Sequence, residues 1–262
     1  MKTLDFNRKK LLIGVVHLPA LPGAPNYSGD FDAIIARAVA DTKAYEKGGA
    51  DALVIENFGD APFTSKSVAP ETIAAMARAG AAVCATTKLP IGYNVLRNDA
   101  RAALGLAASC NGSFIRVNIH SGAMITDQGL IEGQAYDTVR TRQQLCPGVK
   151  ILTDVHVKHA VPFGDWTLED AARDTWERGA VSALIVSGVG TGQPASLDDV
   201  QTVRRAVHDA PILIGSGFNK ENADTLLPFI NGAIVGSSLK RDGKLDNPVD
   251  PARVVALRKV MR

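Results

Sequence analysis

Two short stretches place ionisable groups at the two-residue spacing of a β-strand. In one, Asp154, His156 and Lys158 alternate with Val155 and Val157; in the other, Arg116, Asn118 and His120 alternate with Ile115, Val117 and Ile119. Successive side chains on a strand point to opposite faces, so each stretch has one apolar row and one polar row. An acid, an imidazole and an amine in one row can exchange protons with a bound molecule. A guanidinium and a carboxamide in the next can hold its hydroxyls or a developing negative charge. Other apolar runs end in the same way: 11–16 stops at His17, 52–55 at Glu56 and Asn57, and 90–96 carries Asn94 with Arg97 just beyond. The pattern assigns proton transfer to Glu56 and Asp154, with His156 as alternative base or orienter. It assigns substrate contacts to His17, Asn57, Asn94, Arg97, Arg116, Asn118, His120 and Lys158.

A structural reading competes with this one. Buried charges occur when they are paired, and Arg116 with Asp154 or with Glu56 would make an interior ion pair. Against it, each buried charge costs several kcal/mol of desolvation. So many charges, imidazoles and amides ending neighbouring runs suit a site with shifted pKa values.

Glycine loops form a second constellation. Gly188-Val189-Gly190-Thr191-Gly192, Gly215-Ser216-Gly217 and Gly236-Ser237-Ser238 each follow an apolar run. Glycine ends strands for ordinary reasons, but it also lets a backbone approach an anion closely. Three such loops in successive units predict phosphate binding through Gly188, Gly190, Gly215, Ser216, Gly217, Gly236 and Ser237. A divalent metal on His17, Glu56, His120, Asp154 and His156 is a secondary reading, without an HExxH motif or a His-x-His on the first strand to support it. No organic cofactor is called for. Lys158 as a Schiff-base lysine ranks behind both, because its spacing puts it at or past the rim.

The elements that must position these groups alternate along the chain. Strands are expected over 11–18, 51–58, 90–96, 114–120, 151–159, 183–187, 211–215 and 232–235. Helices are expected over 31–47, 71–87, 99–109, 134–145, 168–178, 197–208, 220–229 and 251–261, with 121–133 as a loop. Strand–helix alternation implies right-handed crossovers and a parallel sheet. Eight units suit a closed (β/α)8 TIM barrel spanning 1–262 as one domain. The helix-to-strand joints are short and the strand-to-helix loops long, which gathers the long loops at the mouth where barrel enzymes carry their sites.

Composition excludes other classes. With 46% hydrophobic and 21% charged residues in 262, the chain has material for a large core. A net charge of +2 without basic clusters among aromatics gives no sign of nucleic acid. Lys2, Arg8, Lys9 and Lys10 before 11–16 imitate a signal peptide, but His17, Pro19 and Pro22 cut the apolar run short. No stretch has the roughly 20 apolar residues of a membrane span, so a cytoplasmic protein is expected. Cys84, Cys110 and Cys146 are an odd number without CxxC spacing, consistent with free thiols away from the mouth. A homo-oligomer is compatible with all of this.

Seven motifs in order resemble one family: Val15-Val16-His17-Leu18-Pro19-Ala20-Leu21-Pro22-Gly23, Glu56-Asn57-Phe58-Gly59-Asp60, Asn94-Val95-Leu96-Arg97-Asn98-Asp99, Phe114-Ile115-Arg116-Val117-Asn118, Gly129-Leu130-Ile131-Glu132-Gly133, Asp154-Val155-His156-Val157-Lys158-His159 and Val235-Gly236-Ser237-Ser238-Leu239-Lys240. The chain is similar to the BtpA/SgcQ family over about 11–253. The resemblance implies a ribulose-phosphate-binding type of TIM barrel. One branch is named for photosystem I biogenesis, which implies a non-catalytic assembly factor and allows peripheral membrane association. The other branch resembles carbohydrate-metabolism proteins. The residues themselves favour an enzyme acting on a phosphorylated sugar or nucleoside-like compound by isomerisation, epimerisation, aldol-type cleavage or glycosidic cleavage. A metal-dependent hydrolase stands third.

Overall fold

The computed structural model describes residues 3–6 and 10–261, so Lys2, Arg8 and Lys9 lie outside the described residues. Eight parallel strands close on themselves as β1 (Leu11–His17), β2 (Ala52–Glu56), β3 (Ile91–Asn94), β4 (Phe114–Val117), β7 (Lys150–Val155), β9 (Ala183–Val186), β10 (Ile212–Ile214) and β11 (Gly232–Val235), where β1 pairs with both β2 and β11. Around them run α1 (Phe31–Gly48), α2 (Pro70–Thr86), α3 (Ala100–Ser109), α4 (Ala135–Leu145), α5 (Leu168–Arg178), α6 (Leu197–Ala206), α7 (Ala223–Leu226) and α8 (Pro251–Val260). The expected TIM barrel is therefore present. Several helix starts are set by local chemistry: Asp30, Asp99, Thr167, Ser196 and Asp250 each accept a backbone N–H from the first turn. Among the described residues no helix is long and apolar enough to cross a membrane.

The barrel interior changes character along every strand. Its lower layer is apolar: Val15, Val54, Phe114, Leu152, Ile185, Leu213 and Ile234 belong to one buried cluster, capped below by Leu4 and Phe6. Gly92 fits the same layer because a Cβ there would lie 2.2 Å from the Phe114 ring, so the phenyl group fills the space of two side chains. Two residues further on, the same faces carry His17, Glu56, Asn94, Arg116, Asp154, Ser187, Gly215 and Gly236. Burial of each aliphatic side chain in the lower layer contributes about 1.5–3 kcal/mol. The upper layer spends several kcal/mol per ion on desolvation instead. One layer holds the barrel together and the next stocks the mouth with charge.

Two expected strands stop early. β4 ends at Val117 rather than 120, because the Asn98 carboxamide accepts from Ile119 N and donates to Ile119 O and draws the chain off the sheet. β7 ends at Val155 rather than 159; His156 takes φ 52° and His159 φ 56°, which breaks the alternation. The expected loop 121–133 is a hairpin, β5 (Ala123–Thr126) and β6 (Gly129–Glu132), turning at Asp127 and Gln128 with Gly129 at φ 93°. Together with β8 (Ala160–Pro162) it forms a three-stranded antiparallel sheet, in the order β6-β5-β8. Met124 and Ile131 pack on Ile119 and Val157 beneath it. On the other face Leu130, Ile125 and Val161 sit opposite one another across the strands and stay exposed.

Candidate active site

Arg116 and Asp154 come from adjacent strands and meet in the upper layer. Arg116 Nε and Nη2 each donate to Asp154 at 2.9 Å, one to either carboxylate oxygen, and Ser187 Oγ donates to Oδ1 at 2.7 Å. The two side chains are 2% and 0% exposed. A carboxylate with three of its acceptor positions filled and its side chain sealed from solvent is placed to orient the guanidinium. The ion-pair reading of Asp154 thus describes its contacts, and its carboxylate lines neither space of the mouth. Asn94 buttresses the same layer, donating to Arg116 O and to Asn118 Oδ1.

Glu56 is placed differently. Its oxygens lie 3.8 Å from His17 Nε2 and 4.0 Å from Arg116 Nη1, with no hydrogen bond among the described residues, and the side chain lines the cavity. His17 stacks edge-on against Phe58 and leaves its buried Nδ1 without a partner. Burial, then the charges of Lys240, Lys158 and Arg116, push the His17 pKa well below the ordinary imidazole value, so the ring is neutral. Gly236 is required here: a Cβ would sit 2.4 Å from His17 Cε1.

Lys158, expected at or past the rim, reaches over the centre of the mouth. Arg97 Nη2 donates to the Lys158 carbonyl at 2.6 Å and fixes its backbone. The ammonium has no hydrogen bond or ion pair among the described residues. Burial, then the charge of Arg116, lower its pKa, partly offset by Glu56 and Asp154. Three cations, Arg97, Arg116 and Lys158, thus surround two carboxylates, leaving the mouth poised for an anion.

Glu56, Lys158 and Thr191 border two connected spaces. The narrow one, about 30 Å³, is lined by Gly215, Ser216, Gly217, Gly236, Ser237 and Ser238. The amides of Gly217, Ser237 and Ser238 have no acceptor among the described residues, the latter two at the start of the 3-10 turn Ser237–Leu239. Such a set of amides suits an anion. Ser216 contributes only indirectly, since its hydroxyl accepts from Gly188 N and donates to Gln193 O. Gly188 and Gly190 turn away from this space to pack on Gln193 and Pro194. Thr191 and Gly192 of the same loop reach it instead, tied to His159 through Thr191 N and Oγ1.

The wider space, about 330 Å³, is lined by Phe58, Ala61, Phe63 and Leu96 and by Arg97, Asn118, Asp127 and His159. Besides Asn94 and Asp154, which support the site without lining either space, and Gly188 and Gly190, three expected residues are not brought to it. His120 Nε2 pairs with the Gly179 carbonyl at the end of α5, in the helical layer. His156 turns outward at its positive φ and lies against Trp166, 6.1 Å between rings, within the field of Asp199 in α6. Asn57 spends its carboxamide on Leu96 N and Asp60, pinning two loops together. Of the five residues expected for a metal, His120 and His156 thus lie away from His17, Glu56 and Asp154, and no three His, Cys, Asp or Glu side chains converge as a metal set among the described residues. A larger cavity of about 470 Å³ between Asn219–Glu221 and α8 lies outside the barrel; converging chemistry, not volume, locates the site.

Sequence reasoning missed Thr191, Asp127, His159 and the two phenylalanines. For Asp127 a signal existed, since β-rich flanks around Asp127-Gln128-Gly129 mark a hairpin. For Phe58 and Phe63 none did, because their direction depends on loop conformation.

Relatives match over nearly the full length. An uncharacterised protein of Pyrococcus furiosus is 46% identical over 98% of this chain and 96% of its own. The photosystem I biogenesis protein BtpA of Synechocystis is 43% identical over 98% of this chain and 89% of its own. Among solved structures, phosphoribosylanthranilate isomerase from Pyrococcus furiosus superimposes with a TM-score of 0.59 at 12% identity, covering 96% of this chain and 98% of that one. Tryptophan synthase from M. tuberculosis gives 0.61 at 16% identity, covering 97% and 94%. At such identities the structures share the fold and nothing finer. The relatives and the family model, which matches residues 8–262, agree with the motif resemblance: this chain belongs to the BtpA family.

Proposed function

We propose that the mouth is an active site for a phosphorylated, sugar-like small molecule and that its chemistry is proton transfer. The observation that carries this is Glu56: a carboxylate that, among the described residues, makes no hydrogen bond and borders both spaces together with a lysine whose ammonium makes none either. Glu56 serves as the acid or base, neutral His17 as its neighbour, and Lys158 with Arg116 stabilises negative charge as it develops. Asp154 positions Arg116. The free amides of Gly217, Ser237 and Ser238 take the phosphate. This machinery serves isomerisation, epimerisation, aldol-type cleavage or glycosidic cleavage alike.

The test is thermal unfolding with ribose 5-phosphate, ribose and inorganic phosphate. Ribose 5-phosphate at a hundred times its Kd should add about 2.7 kcal/mol and a clear rise in Tm, while ribose should add nothing. Equal shifts with ribose and ribose 5-phosphate would overturn the phosphate assignment. Among compounds that bind, turnover should fall about 10²–10⁴-fold in Glu56→Gln.

A second reading rests on one observation. The row Leu130, Ile125 and Val161 on the covering sheet is exposed at 49%, 46% and 58%, and the relative named for photosystem I biogenesis acts by its name in assembly. If that role applies here, Ile125→Asp should abolish it and Glu56→Gln should not.

A further inference from the structure

The narrow space accounts for a phosphate and the charged centre for a hydroxylated carbon chain. The wider space is then left over, and its walls are wrong for either. Phe58, Ala61, Phe63 and Leu96 face it, and a sugar hydroxyl directed at these four would lose water without gaining a partner. Arg97, Asn118, Asp127 and His159 line the same space, and Glu56, Lys158 and Thr191 belong to it and to the narrow one. Apolar and aromatic side chains beside convergent polar groups are how proteins hold a heteroaromatic ring, with the faces packed and the ring's nitrogen and oxygen atoms bonded.

The space is also built rather than incidental. Leu96 is held by the Asn57 carboxamide through its backbone N–H. Phe58 is braced edge-on by His17 at 4.9 Å between rings. His159 is fixed by Thr191 of the glycine loop, so the wall of one space is tied to the lining of the other. Both spaces share Glu56, Lys158 and Thr191 as their common border.

Resting on the phosphate reading above, we infer that the substrate is a phosphate ester of a sugar carrying a heteroaromatic group at its far end, as in a nucleoside 5′-monophosphate or an N-phosphoribosyl aromatic amine. Phosphate anchors at Gly217, Ser237 and Ser238, the sugar lies across Glu56 and Lys158, and the ring enters between Phe58, Phe63 and Leu96. The bond from sugar to ring then lies beside Glu56, which can exchange a proton with a group on the sugar or on the ring.

Titration calorimetry on the full chain with ribose 5-phosphate, uridine 5′-monophosphate, adenosine 5′-monophosphate and the two nucleosides tests this. At least one nucleotide should bind tenfold or more tightly than ribose 5-phosphate. In Phe63→Ala, whose wild-type side chain is only half-buried, that advantage should vanish while ribose 5-phosphate affinity stays within twofold. Equal binding of ribose 5-phosphate and both nucleotides would overturn the inference and leave the phosphorylated-sugar reading standing. Nucleosides binding as tightly as nucleotides would overturn the phosphate anchor and, with it, the substrate assigned here. No binding of any probe would overturn both. A Phe63→Leu variant, which keeps apolar volume without the ring, separates loss of stacking from loss of fold: it should keep the wild-type Tm and lose most of the nucleotide preference.

Discussion

Two buried ion pairs in this barrel look alike on paper and differ in what they leave over. Lys240 Nζ donates to Asp41 Oδ2 at 2.6 Å, with the two side chains 0% and 1% exposed. Asp41 also accepts from Arg37 Nε and from Val249 N, so the carboxylate straps the segment after β11 to α1. The carboxylate is spent on protein, and none of Arg37, Asp41 and Lys240 lines either space of the mouth. Arg116 and Asp154 are as deeply buried and as well bonded, yet Arg116 keeps Nη1 at 4.0 Å from Glu56 and lies within the field of the partnerless Lys158. A saturated pair is architecture; a pair that keeps a donor beside a cavity is a site. Both carboxylates accept three hydrogen bonds, and the distinction lies in whether the pair borders the cavity.

The largest effect that bears on this contrast is the loss of one partner from the saturated pair. Asp41→Ala strands Lys240 and Val249 N, and should cost about 3–5 kcal/mol in urea unfolding. A loss below about 1 kcal/mol would mean that the strap is incidental. Replacing whole pairs separates them more sharply. Arg116→Met with Asp154→Leu removes both charges, so stability should change little, while ribose 5-phosphate affinity should drop at least a hundredfold, about 2.7 kcal/mol. Asp41→Leu with Lys240→Met should leave that affinity within twofold. Identical affinities in the two double variants would erase the difference between the pairs.

A smaller effect isolates the positioning of Arg116. Ser187→Ala removes one hydroxyl donor from Asp154 and leaves the bidentate contact with Arg116 intact. Stability should fall by about 1 kcal/mol, the ordinary worth of such a bond, or somewhat more for a charged acceptor. Ribose 5-phosphate affinity should fall less than tenfold. A hundredfold loss would show that Ser187 touches ligand rather than holding the pair.

The barrel was legible because its signals are periodic and repeated. Unbroken apolar runs over 11–16 or 183–186 report burial of a strand on both faces whatever the details. The inward direction of Glu56, Arg116 and Asp154 followed from the alternation of side chains along a strand, counted from Val54, Phe114 and Leu152. The counting failed where the backbone left the sheet. His120 and His156 lie past the ends of β4 and β7, where the Asn98 contacts and a positive φ decide direction, and neither is written in a two-residue period. Lys158 shows the converse: periodicity sent it to the rim, and the turn at His156 with the Arg97 contact brought it back over the mouth. Sequence patterns locate a side chain only while the element that sets the pattern continues.

His17 stands where the two pairs meet, since both Lys240 and Arg116 bear on it, and it supplies the most delicate test. Its folded pKa is lowered, by burial first and by those cations next, so the native ring stays neutral where the unfolded ring gains a proton. Below about pH 6.5 the unfolded chain therefore binds a proton that the folded chain refuses, and stability falls as pH falls. The slope from this one group is at most about 1.4 kcal/mol per pH unit, ending when the folded pKa is reached. His17→Gln removes it. The stability difference between wild type and variant, measured by urea unfolding at pH 8 and at pH 5, should shift in favour of the variant at the lower pH by about 1–2 kcal/mol. Other histidines with lowered pKa values, His120 and His156 among them, titrate in both proteins and cancel in the difference. Repeating the comparison in the Asp41→Leu, Lys240→Met background should flatten the shift only slightly, because burial is the leading cause. A shift abolished in that background would show that the saturated pair reaches into the mouth through its field, and the separation of architecture from site would have to be redrawn around His17.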